Sequence, residues 1–344
     1  MNFQDYLRIS ALEIDHALEV FFSEWSKEIE RVNPKLRSIV GHLIEGCRGG
    51  KRLRGVLVKL GYDLAGGSVN QDIIKPAISF EIFQTAILAH DDIIDQSPLR
   101  RGKPTIYKAL GGDHYAISQT ICLGDIGFFV AQELITQSTF PDQNIKKAVQ
   151  SFSRTMRETA LGEILDVELP TSPDQIFEND AVDIFKLKTS RYTITGPLHL
   201  GAILAGASDE MLESMAKFGE NLGIAFQIQD DILGVFGDET TIGKSVTSDI
   251  EEGKITFLYI EALKRSTQEQ KEILKRFYGK GDVGEEGLEK IRKVFIETGA
   301  LEYSKQKAIE YVNIAKRSIS EITSDPQKAQ LLNEMAEFLV ERNK

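Results

Sequence analysis

The run Phe83-Gln-Thr-Ala-Ile-Leu-Ala-His-Asp-Asp-Ile-Ile-Asp95, continued by Gln96-Ser-Pro-Leu-Arg-Arg-Gly-Lys-Pro-Thr105, decides how this chain is read. Its first half is apolar at Phe83, Ala86, Ile87 and Leu88, the signature of a helix that faces a core. Asp91, Asp92 and Asp95 then follow within five residues. At about 100° per residue, Asp91 and Asp95 fall about 40° apart on one face, a turn from each other, and Asp92 is turned about 100° away. Half-buried carboxylates so close together need cations. Hard oxygen ligands, two to a helix face, suit Mg²⁺, which keeps waters and shares its shell with substrate phosphates.

Outward from this run the pattern is helical throughout. An amphipathic stretch through Leu12, His16, Val20 and Phe21 stops before Asn33-Pro34. A glycine-rich break at 46–50 precedes Lys51-Arg-Leu-Arg54 and a further helix. The acid-bearing helix is expected over 72–95 and a long helix follows Gly111-Gly112. Others are expected at 142–169, 180–205 with a kink at Gly196-Pro197, 208–236 and 254–276, and three more run to the end. No alternating strand pattern, repeat or low-complexity segment is present. The expected fold is all-α, one domain over residues 1–344, a single large helical bundle around a central apolar cavity.

Bulk properties narrow the function. The 344 residues are 42% apolar and 27% charged, ample for a core. A net charge of −11 speaks against nucleic acid or an anionic membrane surface as the main partner. Cys47 and Cys122 make neither a metal finger nor a disulfide framework, which points to a reducing compartment. No basic leader and no apolar run of 18 residues is present, so the expectation is a cytoplasmic protein without a membrane span.

A second acidic turn lies in Phe226-Gln-Ile-Gln-Asp-Asp-Ile-Leu-Gly234, where Gln227 and Asp231 are four apart and Asp230 lies between them on the same broad face. Two such turns in one helical chain would hold several Mg²⁺ ions. Cations cluster where phosphate would need them: Lys51 and Arg54 at a helix start, Arg100-Arg101 after the first acids, then Lys188-Thr189, Lys244 and Lys254.

Taken together, Asp91-Asp-Ile-Ile-Asp95, Leu99-Arg-Arg-Gly-Lys-Pro-Thr105, Gly50-Lys-Arg-Leu-Arg54, Lys188-Thr189, Phe226-Gln-Ile-Gln-Asp-Asp231 and Gly243-Lys244 resemble the motif series of the trans-isoprenyl diphosphate synthases, in order, over residues 45–256. The resemblance implies a Mg²⁺-dependent prenyltransferase with three ions per site, working as a homodimer. Asp91, Asp95 and Asp230 would hold the metals, with Asp92 and Asp231 beside them. Arg100, Lys188 and Lys244 would grip the allylic diphosphate, helped by Thr189, Gln227 and Lys254. Lys51, Arg54, Arg101 and Gln84 would hold isopentenyl diphosphate. The metals and cations stabilise the departing pyrophosphate, the resulting allylic cation is attacked by the isopentenyl double bond, and a proton is lost to pyrophosphate. The bore must exclude water.

Two departures stand out. Gly234 occupies the place of a third acid in many members, and Glu163 stands in Gly162-Glu-Ile-Leu-Asp166 where Gln is common, which adds a negative charge and makes Asp166 hard to assign. Chain length should be set along the acid-bearing helix. Ala86, with Ile87 beside it, leaves the bore open and Phe83, a further turn down, could close it, which suggests geranylgeranyl diphosphate (C20). The competing readings are a longer-chain synthase, a terpene cyclase (which would not need Lys51, Arg54 and Arg101) and a non-catalytic synthase subunit, which would tend to lose an acidic motif. A di-iron bundle would want a pair of Glu-x-x-His motifs, and Glu13–His16 is a single one.

Overall fold

The computed structural model describes residues 1–67, 71–171, 176–238 and 245–340. Lys244 and its neighbour Gly243 therefore lie outside the described residues. The helices are α1 (Phe3–Val32), α2 (Leu36–Cys47), α3 (Leu53–Leu64), α4 (Ile74–Ile94), α5 (Ile106–Ala109), α6 (His114–Thr136), α7 (Asp142–Glu168), α8 (Glu178–Ile184), α9 (Gly196–Leu204) and α10 (Asp209–Phe236). Shorter helices follow, including Ser248–Glu251, Phe257–Arg265 and Gln268–Phe277. The all-α reading holds. Among the described residues, strand is confined to the pair Leu99–Arg100 and Lys103–Pro104.

Helix ends fall where the local chemistry puts them. α1 stops at Val32, ahead of Pro34, and α6 starts where the Asp113 carboxylate accepts from the Ala116 amide at 2.9 Å. Two expected helices are broken. The stretch 254–276 divides at Ser266, because the Thr267 hydroxyl and Gln270 side chain form a reciprocal cap that starts a new helix. The stretch 180–205 is α8, then an 11-residue π-helix (Phe185–Thr195), then α9, and a π-register is invisible to a 3.6-residue period.

By internal packing the chain forms two units, residues 1–155 with 192–216 and 320–332, and residues 156–191 with 217–319 and 333–344. In the first unit, Phe80, Phe83 and Phe152 meet edge to face at 5.2–6.0 Å between ring centres. There α3 and α9 cross at Gly61 and Gly201: a β-carbon on Gly201 would overlap the Val58 carbonyl, and one on Gly61 the Leu198 carbonyl. Backbone cannot yield as a side chain can, so Gly201→Ala is expected to destabilise by about 3 kcal/mol, read as a lowered urea midpoint. The second unit packs Ile228, Ile232, Ile250, Phe257 and Phe295 into its own core. Among the described residues, no helix is long and apolar enough to cross a membrane.

Candidate active site

In the first unit, α4 carries Asp91 and Asp92 to its last turn and Asp95 to its C-cap, where the Asp95 amide donates to the Asp91 carbonyl at 2.8 Å. One carboxylate oxygen each of Asp91 and Asp95 lie within 4.8 Å of one another, as a shared face one turn apart requires. Arg101 and Gly102 both take positive φ, 54° and 73°, which makes the two-residue turn of the small hairpin of the type-I′ kind. That turn folds Arg100 back onto the acids: its Nε donates to Asp92 at 2.7 Å and its NH2 to Asp91 at 2.9 Å. Arg100 thus bridges the two acids.

Asp92 is buried, and its burial pushes the carboxyl up to about 6 despite the adjoining Arg100 guanidinium, with Asp91 and Asp95 adding to the rise. More negative charge stands here than one arginine offsets, and all of it is on hard oxygen. The donor set fits Mg²⁺. Since the folded pKa lies above the unfolded one, the stability tied to the neutral acid is present below about 4 and lost as pH rises through about 6. In Mg²⁺-free protein, Asp92→Asn is therefore expected to gain stability over wild type as pH rises from 4 to 7, by about 3 kcal/mol at the upper end. Melting curves across that range in chelator, with a gap that fails to widen, would refute it.

A cavity of about 410 Å³ opens on another face of α4, lined by Thr85, Ala89 and Asp92 together with Gly49, Gly50, Arg100 and Arg101 and an apolar end at Ile106 and Ala109. Of the four residues grouped for isopentenyl diphosphate, the structure brings only Arg101 to these walls. Gln84 lies on a different face of α4 from Thr85 and Ala89, and Lys51 is exposed. Arg54 is buried, donating to the Thr193 hydroxyl at 2.8 Å with its guanidinium 4.3 Å from the Tyr192 ring centre. Arg54, Arg100 and Arg52 do bear on Arg101, whose pKa is lowered by burial first and by these neighbours second, against the pull of Glu81. Buried Arg52 and Arg54, half-buried Arg100 and exposed Arg101 make a cluster of guanidinium groups that an anion relieves.

Arg52 and Glu81 escaped the sequence reading. Arg52, in the left-handed region (φ 52°) and buried, donates to Asp15 at 2.5 Å and to the Cys47 carbonyl at 2.6 Å and lies 3.5 Å from Glu81, which accepts from the Gly55 amide at 2.9 Å. An acid, Glu81, within the otherwise apolar stretch of α4 before Asp91 is the signal available in the sequence. The Cys47 thiol, pushed up to about 12 by burial, is unreactive.

In the second unit, the π-helix sends neighbouring residues to different helices. The Lys188 ammonium pairs with Asp166 at 2.6 Å and Glu163 at 2.8 Å, both on α7, and Thr189 donates to Gln227 of α10 at 2.6 Å. Gln227 passes the chain on, its amide donating to Asp231 at 2.7 Å. Asp231 is buried and Asp230 half-buried beside it. Lys254 pairs with Asp166 at 2.8 Å. Burial alone would raise the Asp166 carboxyl, but the two ammonium groups outweigh it and hold the group below its usual value. The extra charge of Glu163 thus meets Lys188, and Asp166 takes a firm place as the acid that two lysines share. Gly162 allows this approach: a β-carbon there would overlap the Lys188 amide nitrogen.

Comparison with known proteins agrees with this chemistry. The polyprenyl synthetase family model matches residues 33–295. The geranylgeranyl diphosphate synthase of Sulfolobus acidocaldarius is 35% identical over 90% of this chain and 92% of its own length, and the geranylfarnesyl diphosphate synthase of Aeropyrum pernix is 33% identical over 88% and 93%. A Corynebacterium glutamicum geranylgeranyl pyrophosphate synthase, solved with isoprenyl diphosphate and magnesium, superposes with a TM-score of 0.91 at 28% identity, covering 99% of this chain and all of that one. The chain belongs to the polyprenyl synthetase family, and it is a trans-prenyltransferase.

Proposed function

We propose that the enzyme joins isopentenyl diphosphate to an allylic diphosphate and releases geranylgeranyl diphosphate. The observation that carries this reading is the pairing of an acidic turn, Asp91 to Asp95, with a cationic cavity on the same helix. The cavity's Arg101 and apolar end suit a small diphosphate with a five-carbon tail, a ligand that a terpene cyclase has no need to hold. Both acidic motifs survive, against the reading as a non-catalytic subunit.

Asp91, Asp95 and Asp230, with Asp92 and Asp231 beside them, are the proposed Mg²⁺ ligands, for three ions in all. Mg²⁺, when bound, supplies Lewis-acid neutralisation of a leaving diphosphate. Lys188, Thr189, Gln227 and Lys254 hold the allylic diphosphate, Lys244 completing the set from outside the described residues. Arg100 orients Asp91 and Asp92 and extends its charge to the same oxygens. Arg101 on the cavity wall binds isopentenyl diphosphate so that its double bond meets the allylic cation, with Lys51, Arg54 and Gln84 proposed to act on the same ligand from beyond that wall. The buried aromatic rings exclude water that would capture that cation.

Chain length supports C20. Phe83 is fully buried, its ring 5.3–6.1 Å at the centre from Phe152, Phe128 and Tyr192, a stop for a growing tail. One turn nearer the acids, α4 meets α6 through small residues: a β-carbon on Gly127 of α6 would come within 2.7 Å of the Ala86 β-carbon. Ile87, beside Ala86, is half-buried. Ala86→Phe is expected to shorten the product by one or more C5 units, resolved by chromatography of dephosphorylated alcohols. Unchanged length would sink the placement.

Residues 1–344 are proposed to act as one domain, since the divisions between the two packed units fall inside α7, α10 and the π-helix instead of in linkers. A homodimer is supported by α6, which leaves Phe129 73% and Ile121 44% exposed two turns apart on one face. A cytoplasmic setting remains part of this proposal. The deciding experiment is incubation with Mg²⁺, labelled isopentenyl diphosphate and each of the C5, C10 and C15 primers, followed by product sizing. No label incorporated with any primer would overturn the assignment.

A further inference from the structure

The second acidic turn lacks an acid at Gly234, and the fold fills that gap from elsewhere. Gly234 follows Asp230 by four residues and Asp231 by three, so on α10 it lies one turn beyond them on the same face. A β-carbon built on Gly234 would overlap the carboxylate of Asp249, with Oδ2 the nearest atom. Asp249 is 8% exposed and belongs to the short helix Ser248–Glu251 in the same packed unit. Tyr278 feels the charge of both Asp249 and Asp231, which places the two acids in one neighbourhood. The space where an aspartate side chain at 234 would sit therefore already holds a carboxylate, and glycine is the residue that leaves room for it.

We infer that Asp249 does the work of the missing third acid: it is a positioning residue that brings its negative charge to the Asp230–Asp231 turn and tightens that turn's hold on Mg²⁺. The inference rests on the metal-binding role proposed above for Asp230. It needs no direct bond to the ion, since a carboxylate that holds the ion's water or a neighbouring ligand changes metal affinity about 10- to 100-fold.

The logic is an exchange of one acid between two positions. Asp249→Ala should raise the Mg²⁺ concentration for half-maximal turnover about tenfold. It should also shrink the rise in melting temperature that Mg²⁺ with inorganic pyrophosphate gives the protein. Gly234→Asp alone should lower the melting temperature, because two carboxylates compete for one space. The double variant Gly234→Asp/Asp249→Ala should recover both the Mg²⁺ requirement and the ligand-induced melting shift. Asp249→Asn, which keeps the volume and drops the charge, replaces the alanine variant if that fails to fold.

Two results would overturn the idea. One is an Asp249 variant that is less stable yet keeps the wild-type Mg²⁺ requirement and melting shift, the mark of a purely structural residue. The other is a folded double variant that recovers neither. The melting shift is read whether or not turnover occurs, so a wild type that responds to Mg²⁺ and pyrophosphate without incorporating isopentenyl diphosphate would overturn the proposed reaction and leave this inference standing.

Discussion

Replacing Asp91 by Asn is expected to lower kcat by roughly a thousandfold while leaving the protein folded. The asparagine has the same shape, so the packing of the α4 end is kept and the backbone bond from the Asp95 amide to the residue-91 carbonyl is untouched. What goes is one of two carboxylates whose oxygens lie within 4.8 Å of each other, and half the partnership that orients Arg100. Groups that stabilise a developing negative charge in a closed site are worth on the order of 10²–10³ in turnover each, and loss of a metal ligand adds to that. Added Mg²⁺ should restore part of the lost rate, since occupancy as well as placement has suffered. Single-turnover measurement at saturating substrates checks the chemical step directly. A loss under tenfold would remove Asp91 from the metal site.

Arg101→Asn is the second large effect, and it separates binding from folding. Arg101 occupies left-handed backbone space, where a long side chain is uncommon and asparagine is favoured. The variant places Asn-Gly in the hairpin, the preferred pair for a type-I′ turn, so thermal stability should hold or rise. The cavity nevertheless loses the guanidinium that reaches toward the Gly49 carbonyl and lines its wall beside Gly50. A charge-assisted, two-pronged contact to a phosphate is worth about 2–3 kcal/mol, so KM for isopentenyl diphosphate should rise on the order of 100-fold. KM for the allylic primer should stay within a factor of two or three. Equal increases for both substrates would mean that Arg101 serves the allylic diphosphate, or that the turn has rearranged.

These two residues also mark how far a one-dimensional reading reaches. That Asp91 and Asp95 share a face follows from their spacing alone, because helical period and side-chain direction are local properties. Arg100 was legible as an acid-adjacent cation, but its folding back onto Asp91 and Asp92 depends on the two positive-φ residues that follow it. Lys51, Arg54 and Gln84 share a motif grouping with Arg101, and none of the three lines the cavity wall: Lys51 precedes α3 as exposed chain, Arg54 is buried on α3, and Gln84 is on a different face of α4 from Thr85 and Ala89. The π-helix passed unseen, since its wider turn appears in no hydrophobic period, and with it the means by which adjacent Lys188 and Thr189 reach two different helices.

Sequence alone determined the helical class, the two acidic turns, the cations that accompany them and the family to which the motifs belong. All of these are written in spacings of three to five residues or in short contiguous runs, where the energetics of one helical turn decide. Tertiary structure decided the rest: that Asp166 is shared by Lys188 and Lys254, that Glu163 is met by Lys188, that Ala86 faces Gly127, and that Asp249 fills the gap at Gly234. Each of these joins segments 15 to 88 residues apart, such as the 88 between Asp166 and Lys254. No local propensity specifies such a pair. It is set by which helix surfaces can approach closely, and here glycines at 127, 162 and 234 permit that approach by the absence of a side chain.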